Sequence, residues 1–287
     1  VAIGAGSCFD PPEFPVVPQI EYERVEFIDA IDPSDFDTLN LYINFKDGDG
    51  DLGFSDGLPD ISEPYNSAFF YQENNGKIEP LSTVSLVDNT NAQYDLLLIP
   101  DPTKGKLVTF RTHKKPEYDF LPGGDVCTGS NSLKYYEYLA GPINPNNSLD
   151  GRRMIIEASD RAALDADVQL VDSFPRMNPE YYQIRDTLYY TPNPNHYNIE
   201  VDFLVKDPMS GEFNEFDWRE EYCTTFDGRF PVFSDKQSSI DGTLRYTMTS
   251  LGFTTIFSIQ TLKLRVSIKD RAGHQSNVVE TQEFTLH

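Results

Sequence analysis

The stretch FKDGDGDLGF, residues 45 to 54, sets Asp47, Asp49 and Asp51 at alternate positions with Gly48 and Gly50 between them. Three carboxylates at that spacing converge on one point only if the backbone bends sharply, and glycine permits the bend. An all-oxygen ligand set of this kind suits Ca²⁺, which takes roughly six to eight oxygens in flexible geometry. Like charges this close repel unless a cation joins them, so the stretch reads as a metal-locked turn with Ca²⁺ as the cofactor. It departs from an EF-hand loop, because the sixth position is Leu52 rather than Gly and the twelfth is Leu58 rather than Glu. A further ligand must come from elsewhere; Asp56 is nearest in sequence and Asp60 follows. The alternative reading is an acidic, solvated hairpin turn, since Asp-Gly is also a favoured turn pair.

The elements around these residues follow one design. LYINFKD at 41 to 47, VDFLVKD at 201 to 207 and LRVSIKD at 264 to 270 each alternate apolar and polar residues and end in Lys-Asp. That period of two is the mark of a half-buried strand. Asp207 and Asp270 can therefore add ligands where their turns share a pole with Asp47, although antiparallel topology can equally set them at opposite poles. ERVEFIDAI at 23 to 31, TLRYTMTSL at 243 to 251 and VVETQEFTL at 278 to 286 read as further strands, punctuated by DGDG, DPMSG, FDG, IDG and DRAG turns. With no amphipathic helices between them, these strands predict an all-β, antiparallel sandwich. From about 59 to 195 the chain changes character. Loop-forming runs such as LPGGDVCTGS and GPINPNNSLDG separate short apolar segments, which predicts a large, loop-rich, mostly β insertion. Within it, SDRAALDADVQLV suggests a short helix with Ser159 as its N-cap, though the end of that run has the composition of a strand.

Charge narrows the partners. Over 287 residues, 46 Asp and Glu outweigh 23 Lys and Arg, giving a net charge of −23. Such a surface repels nucleic acid and anionic membranes and favours divalent cations. Catalytic signatures are missing: His113, His196, His274 and His287 stand singly in polar segments, with no HExxH spacing, no GxSxG elbow and no phosphate-cradling glycine loop. Tyr and Phe are abundant, but there is one Trp, Trp218, so the aromatics are expected in the core and at an interface rather than on a sugar platform.

Cys8 follows the small and apolar run VAIGAGS, which resembles a bacterial lipobox. The resemblance implies lipidation of Cys8, with Val1–Ser7 as a signal-peptide remnant; the alternative is a slightly apolar N-terminus with a free thiol. Residues 8 to 19 are Pro-rich and acidic and read as a tether, and Asp10 and Glu13 resemble the acidic signal that accompanies surface export in Bacteroidetes lipoproteins. Setting Cys8 aside leaves Cys127 and Cys223, which an exported chain most simply joins as a disulfide; two buried thiols are the alternative. DTL occurs at Asp37–Leu39 and Asp186–Leu188 and resembles a Bacteroidetes O-glycosylation motif, which would place sugars on Thr38 and Thr187.

YINFKDGDGDLGF, GRFPVF, IDGTLRYTM and VSIKDRAGHQSNVVETQEFTL together resemble a group of Bacteroidetes outer-membrane lipoproteins with an immunoglobulin-like sandwich. The resemblance covers 20 to 58 and 196 to 287, leaves the insertion at 59 to 195 unmatched, and implies fold and location rather than an activity. The expectation is a non-enzymatic, calcium-stabilised protein on the outer membrane at the cell surface. It would be held there through its lipid anchor only and serve as an accessory subunit of an outer-membrane protein complex for assembly, export or uptake. A glycan-binding surface lipoprotein is the alternative, and a hydrolase with a site spread over loops is a third.

Overall fold

The structure, a computed structural model, describes residues 13–32, 35–55, 63–66, 68–75, 77–87, 94–101, 103–109, 137–138, 154–164, 166, 169–171, 180–185, 188–222, 224–234 and 238–286. Cys8, Asp10, Asp56, Asp60, His113, Cys127, Thr187, Cys223 and His287 lie outside the described residues. Among the described residues the strands are β1 (Gln19–Ile28), β2 (Asp37–Asp47), β3 (Ala68–Asn74), β4 (Lys77–Val87), β5 (Tyr94–Ile99), β6 (Lys106–Leu107), β7 (Glu137–Tyr138), β8 (Met154–Glu157), β9 (Gln169–Val171), β10 (Tyr181–Arg185), β11 (Tyr189–Pro192), β12 (Ile199–Lys206), β13 (Phe213–Phe216), β14 (Ile240–Ser250), β15 (Leu262–Ile268) and β16 (Val279–Glu280). The chain divides into two compact units: residues 1–55, 197–218 and 225–287 form the first, and residues 56–196 with 219–224 form the second.

The first unit is an antiparallel β-sandwich. One sheet has the order β1-β2-β14 and the other β13-β12-β15-β16. The alternation in the sequence explains the layers. Along β2, Leu39, Leu41, Ile43 and Phe45 are buried while Tyr42 and Asn44 are half-buried and Lys46 is exposed. Leu262, Leu264, Val266 and Ile268 do the same on β15. These rows meet Ile199, Val201 and Phe203 of β12 and Leu244 and Met248 of β14 in one core. Each such side chain contributes about 1.5–3 kcal/mol on burial. Phe203 is ringed by Trp218, Phe226, Phe253 and Phe257 with ring centroids 5.2–5.9 Å away. The single tryptophan is therefore a core residue.

The second unit is built on one sheet of order β7-β11-β3-β4-β5-β8-β10-β9, with β6 on β3. Its pairings are antiparallel except for β5 with β8, which run parallel through Leu96↔Met154 and Leu97↔Ile155. Phe70, Leu81, Leu96, Leu98, Leu107, Ile156, Leu164, Ile184 and Leu188 form its core.

Two local expectations need correction. Residues Ala158–Ala163 form a 3-10 helix rather than a helix capped by Ser159; Glu157 occupies the cap position and makes no side-chain capping bond. The run 278 to 286 is not one regular strand. Only Val279 and Glu280 pair regularly, after which the Thr281 hydroxyl accepts from Leu264 N at 2.9 Å, and Leu262 pairs with Phe284. A side-chain oxygen there replaces a backbone carbonyl and lets the register slip. No helix among the described residues is long and apolar enough to cross a membrane.

Candidate metal centre

Strand parity places the first ligand. The inward row Leu39, Leu41, Ile43, Phe45 continues to Asp47, so the carboxylate at the end of β2 points into the end of the core and is fully buried. The same parity acts on β15, where Leu264, Val266 and Ile268 lead to Asp270, also buried. Leu52 forms an isolated antiparallel bridge with Asp270, which brings the aspartate loop of one sheet against the strand end of the other. Asp47, Asp51 and Asp270 thereby offer carboxylate oxygens that all lie within 4.8 Å of one another. Oxygens bound to one Ca²⁺ at about 2.3–2.6 Å can be no farther apart than roughly 4.6–5.2 Å. The three fit a single ion.

The loop itself is tightly specified. Asp51 N donates to Asp47 Oδ2 at 3.1 Å, closing the turn over the strand end. Gly50 takes φ of 73° and Gly53 of 94°, the left-handed region that a side chain disfavours. A Cβ on Gly53 would also overlap the carbonyl of Pro231. Phe54 N donates to Phe230 O at 3.0 Å, and Arg271 Nη1 donates to Gly53 O at 2.9 Å. Ala272 N donates to Asp51 Oδ2 at 3.1 Å. On the far side, His274 donates to Asp270 twice, from its backbone N to Oδ1 at 2.7 Å and from Nδ1 to Oδ2 at 2.8 Å.

What these bonds leave over points to a ligand. Oδ1 of Asp47, of Asp49 and of Asp51 is each shielded from solvent and has no hydrogen-bond partner. A buried oxygen left so costs about 1–3 kcal/mol, and more when it is charged. Burial, with the charges of Asp49 and Asp51 behind it, pushes the Asp47 carboxyl up to about 6. Burial, then the charges of Asp270 and Asp49, pushes Asp51 up to about 6 as well. The hydrogen bond and charge of Asp270 raise the His274 imidazole above its ordinary value. A divalent cation held by Asp47, Asp51 and Asp270 would supply a partner for buried carboxylate oxygens of the loop and offset two of the four neighbouring carboxylate charges, with Arg271 adjacent to Asp51. The donor set is hard oxygen throughout, which fits Ca²⁺ better than a thiolate- or imidazole-seeking metal.

The sequence-derived ligands divide as follows. Asp47 and Asp51 come together, and Asp49 is close enough for its charge to act on both without being one of the residues whose oxygens converge. Asp56 falls outside the described residues. Asp270 joins the cluster, and Asp207 does not: β12 runs antiparallel to β15, with Val205 opposite Leu262, so Asp207 ends its strand at the other pole. There it accepts from Met209 N and Ser210 N at 2.8 and 2.7 Å and closes a turn. Thr38 of the first DTL motif lies on β2 between Ile28 and Thr249, and its neighbour Asp37 is occupied by Ala30 N, Thr254 N and the Thr254 hydroxyl. His274 and Asp270 form a histidine–carboxylate pair, but the nearby Ser276 is buried. Its hydroxyl accepts from Ile268 N and donates to Asn277 O, which leaves it no role as a nucleophile. No protein-family model matches the sequence, and neither the curated proteins nor the solved structures give a match to it.

Proposed function

We propose that this protein is a calcium-stabilised, non-enzymatic binding protein whose immunoglobulin-like sandwich is locked at one pole by Ca²⁺ on Asp47, Asp49, Asp51 and Asp270. One observation carries the reading: carboxylate oxygens of Asp47, Asp51 and Asp270 lie within 4.8 Å of one another, beside buried oxygens of Asp47, Asp49 and Asp51 that have no hydrogen-bond partner. The strand order supports the immunoglobulin-like part. Numbered within the unit alone, β1, β2, β12, β13, β14, β15 and β16 become strands one to seven, and the sheets read 1-2-5 and 4-3-6-7. The third strand thus changes sheet and the fifth returns to the first, as in Greek-key sandwiches of that class. The run before Cys8 supports a lipid anchor in the outer membrane, and the acidic surface supports a role as an accessory subunit of an outer-membrane complex.

The cation is tested by melting the protein in EDTA and in millimolar Ca²⁺. Binding to the native state alone stabilises by about 2.7 kcal/mol at a hundredfold excess over Kd, which raises the melting temperature by several degrees. Mg²⁺ rescues poorly, because it demands a small octahedron with its own waters. Identical melts with and without Ca²⁺ would remove the metal from the account. The partner is tested by mild detergent extraction from the native membrane. A stoichiometric outer-membrane protein supports the accessory reading, and a lone lipoprotein retained on a polysaccharide column supports glycan binding instead.

A further inference from the structure

The pole opposite the aspartate cluster has a different surface. Ile28, Ile31, Phe36, Met209, Leu251 and Ile259 are all exposed there, and Ile31, Met209 and Ile259 are nearly or fully so at 102, 96 and 94%. The ladders gather them. Ile28 pairs with Thr38 and Ser250 with Asp37, so Phe36 and Leu251 follow on the next rung. Asp37 accepts from Ala30 N at 3.1 Å and from Thr254 N at 3.0 Å, tying the residues that follow β1 to the short helix Phe253–Phe257. Lys206 N donates to Thr261 O at 2.9 Å and brings the turn 207–212 beside them.

These apolar tips are held by built turns. The Asp207 side chain receives two backbone N–H groups, Gly211 N donates to Asp207 O at 2.8 Å, and Asp207 N donates to Glu212 O at 2.8 Å, which fixes the turn that carries Met209. Displaying large apolar side chains to water on ordered turns gives up the roughly 25 cal/mol per Å² that their burial would return. Contiguous patches of this kind mark contact sites.

The charge around the patch specifies the partner. In sequence, the segments 29–36, 207–212 and 251–261 contain Asp29, Asp32, Asp35, Asp207 and Glu212 and no Lys or Arg. The nearest cations are engaged: Lys206 pairs with Glu283 at 2.8 Å and Lys263 with Glu280 at 3.2 Å. An acidic ring repels anionic headgroups and attracts a basic rim. We infer that this pole is a docking surface for a protein whose contact face has an apolar hollow ringed by Lys and Arg. The inference deepens the partner-binding part of the proposed function and rests on that reading, but it does not require the cation.

The test uses the full chain as bait for a random peptide library displayed on phage, with the double variant Ile31→Asp/Ile259→Asp in parallel. Both positions are solvent-exposed, so the melting temperature stays that of the wild type. The wild type should enrich peptides that combine aliphatic or aromatic residues with Lys or Arg, and the double variant should bind the selected peptides at least tenfold more weakly, about 1.4 kcal/mol. The variant is more acidic than the wild type, so attraction by charge alone would strengthen binding rather than weaken it. Asp32→Asn/Asp35→Asn should also weaken binding and flatten its salt dependence. Three results would overturn the inference: no enrichment of such peptides, equal binding by the double variant, or wild-type binding to phosphatidylcholine vesicles or to itself that the double variant loses. Failure of this experiment leaves the EDTA melt unaffected, so the two readings fail separately.

Discussion

On the proposed reading, a proton and a calcium ion compete for the same oxygens at Asp47 and Asp51. In the folded chain without the ion both carboxyls sit at about 6, above the ordinary carboxylate near 3.9, because they are buried beside one another's charges. Stability from such raised groups is complete below the unfolded pKa and is lost as pH rises through the folded one. In EDTA the protein should therefore melt higher at about pH 5 than at about pH 7.5, and Ca²⁺ should close that gap by replacing the proton. Asp37 acts in the opposite sense: hydrogen bonds from Thr254 and Ala30 hold it below its ordinary value, so its contribution fades only in stronger acid. A chelated sample that melts higher at neutral pH would contradict the assignment at Asp47 and Asp51. Substitution gives a second, sharper sign. Asp47→Asn removes a repelled charge, so in EDTA it should melt at or above the wild type, yet it should lose most of the rise that Ca²⁺ produces. Asp49→Asn should blunt the same rise while keeping the turn. At this scale the bent aspartate turn was legible in the spacing DGDGD, because the aspartates and the glycines that bend them are neighbours in sequence, and the structure brings Asp47 and Asp51 together. Asp270 was legible only as a condition, since it lies more than two hundred residues away and meets Asp51 only once the strands are paired.

Strand parity is what converts the aspartates into a site. In FKD and IKD the apolar residue and the Asp share a face and the Lys takes the other, so an Asp placed one step past the last core residue must enter the end of the core. VKD has the same parity but ends at the other pole, where Asp207 closes a surface turn instead of entering the core; the pole is decided by pairing direction and not by composition. The period-two pattern made β2, β12 and β15 readable, since each has one buried face. The strand expected at 278 to 286 was overdrawn, because the Thr281 hydroxyl can stand in for a ladder carbonyl and nothing in the alternation reports that exchange. The loop between the aspartates and the rest of the sandwich depends on Gly53, with φ of 94° and the Pro231 carbonyl where a Cβ would go. Gly53→Ala should cost about 1–3 kcal/mol in urea unfolding, even at saturating Ca²⁺, because the strain is in the backbone. A neutral Gly53→Ala would mean that the loop is not held in this conformation.

Over the whole molecule, the proposed ion would join the two sheets of one unit, and among the described residues the other unit contributes no carboxylate to the cluster. Hydrogen exchange should report this directly: Ca²⁺ should slow exchange in 47–54, 268–276 and the adjoining strand ends while β3, β4, β5 and β8 of the second unit stay unchanged. Uniform protection of both units, or none, would argue against a local lock. The net charge of −23 draws cations to many places on the surface, so stabilisation by Ca²⁺ alone does not locate the ion. Location comes from anomalous diffraction on crystals grown in Ca²⁺. The account predicts one strong calcium peak at the pole of the sandwich, with carboxylate oxygens of Asp47, Asp49, Asp51 and Asp270 about 2.3–2.6 Å from it. Ordered water among those four carboxylates, with calcium bound elsewhere or nowhere, would contradict it.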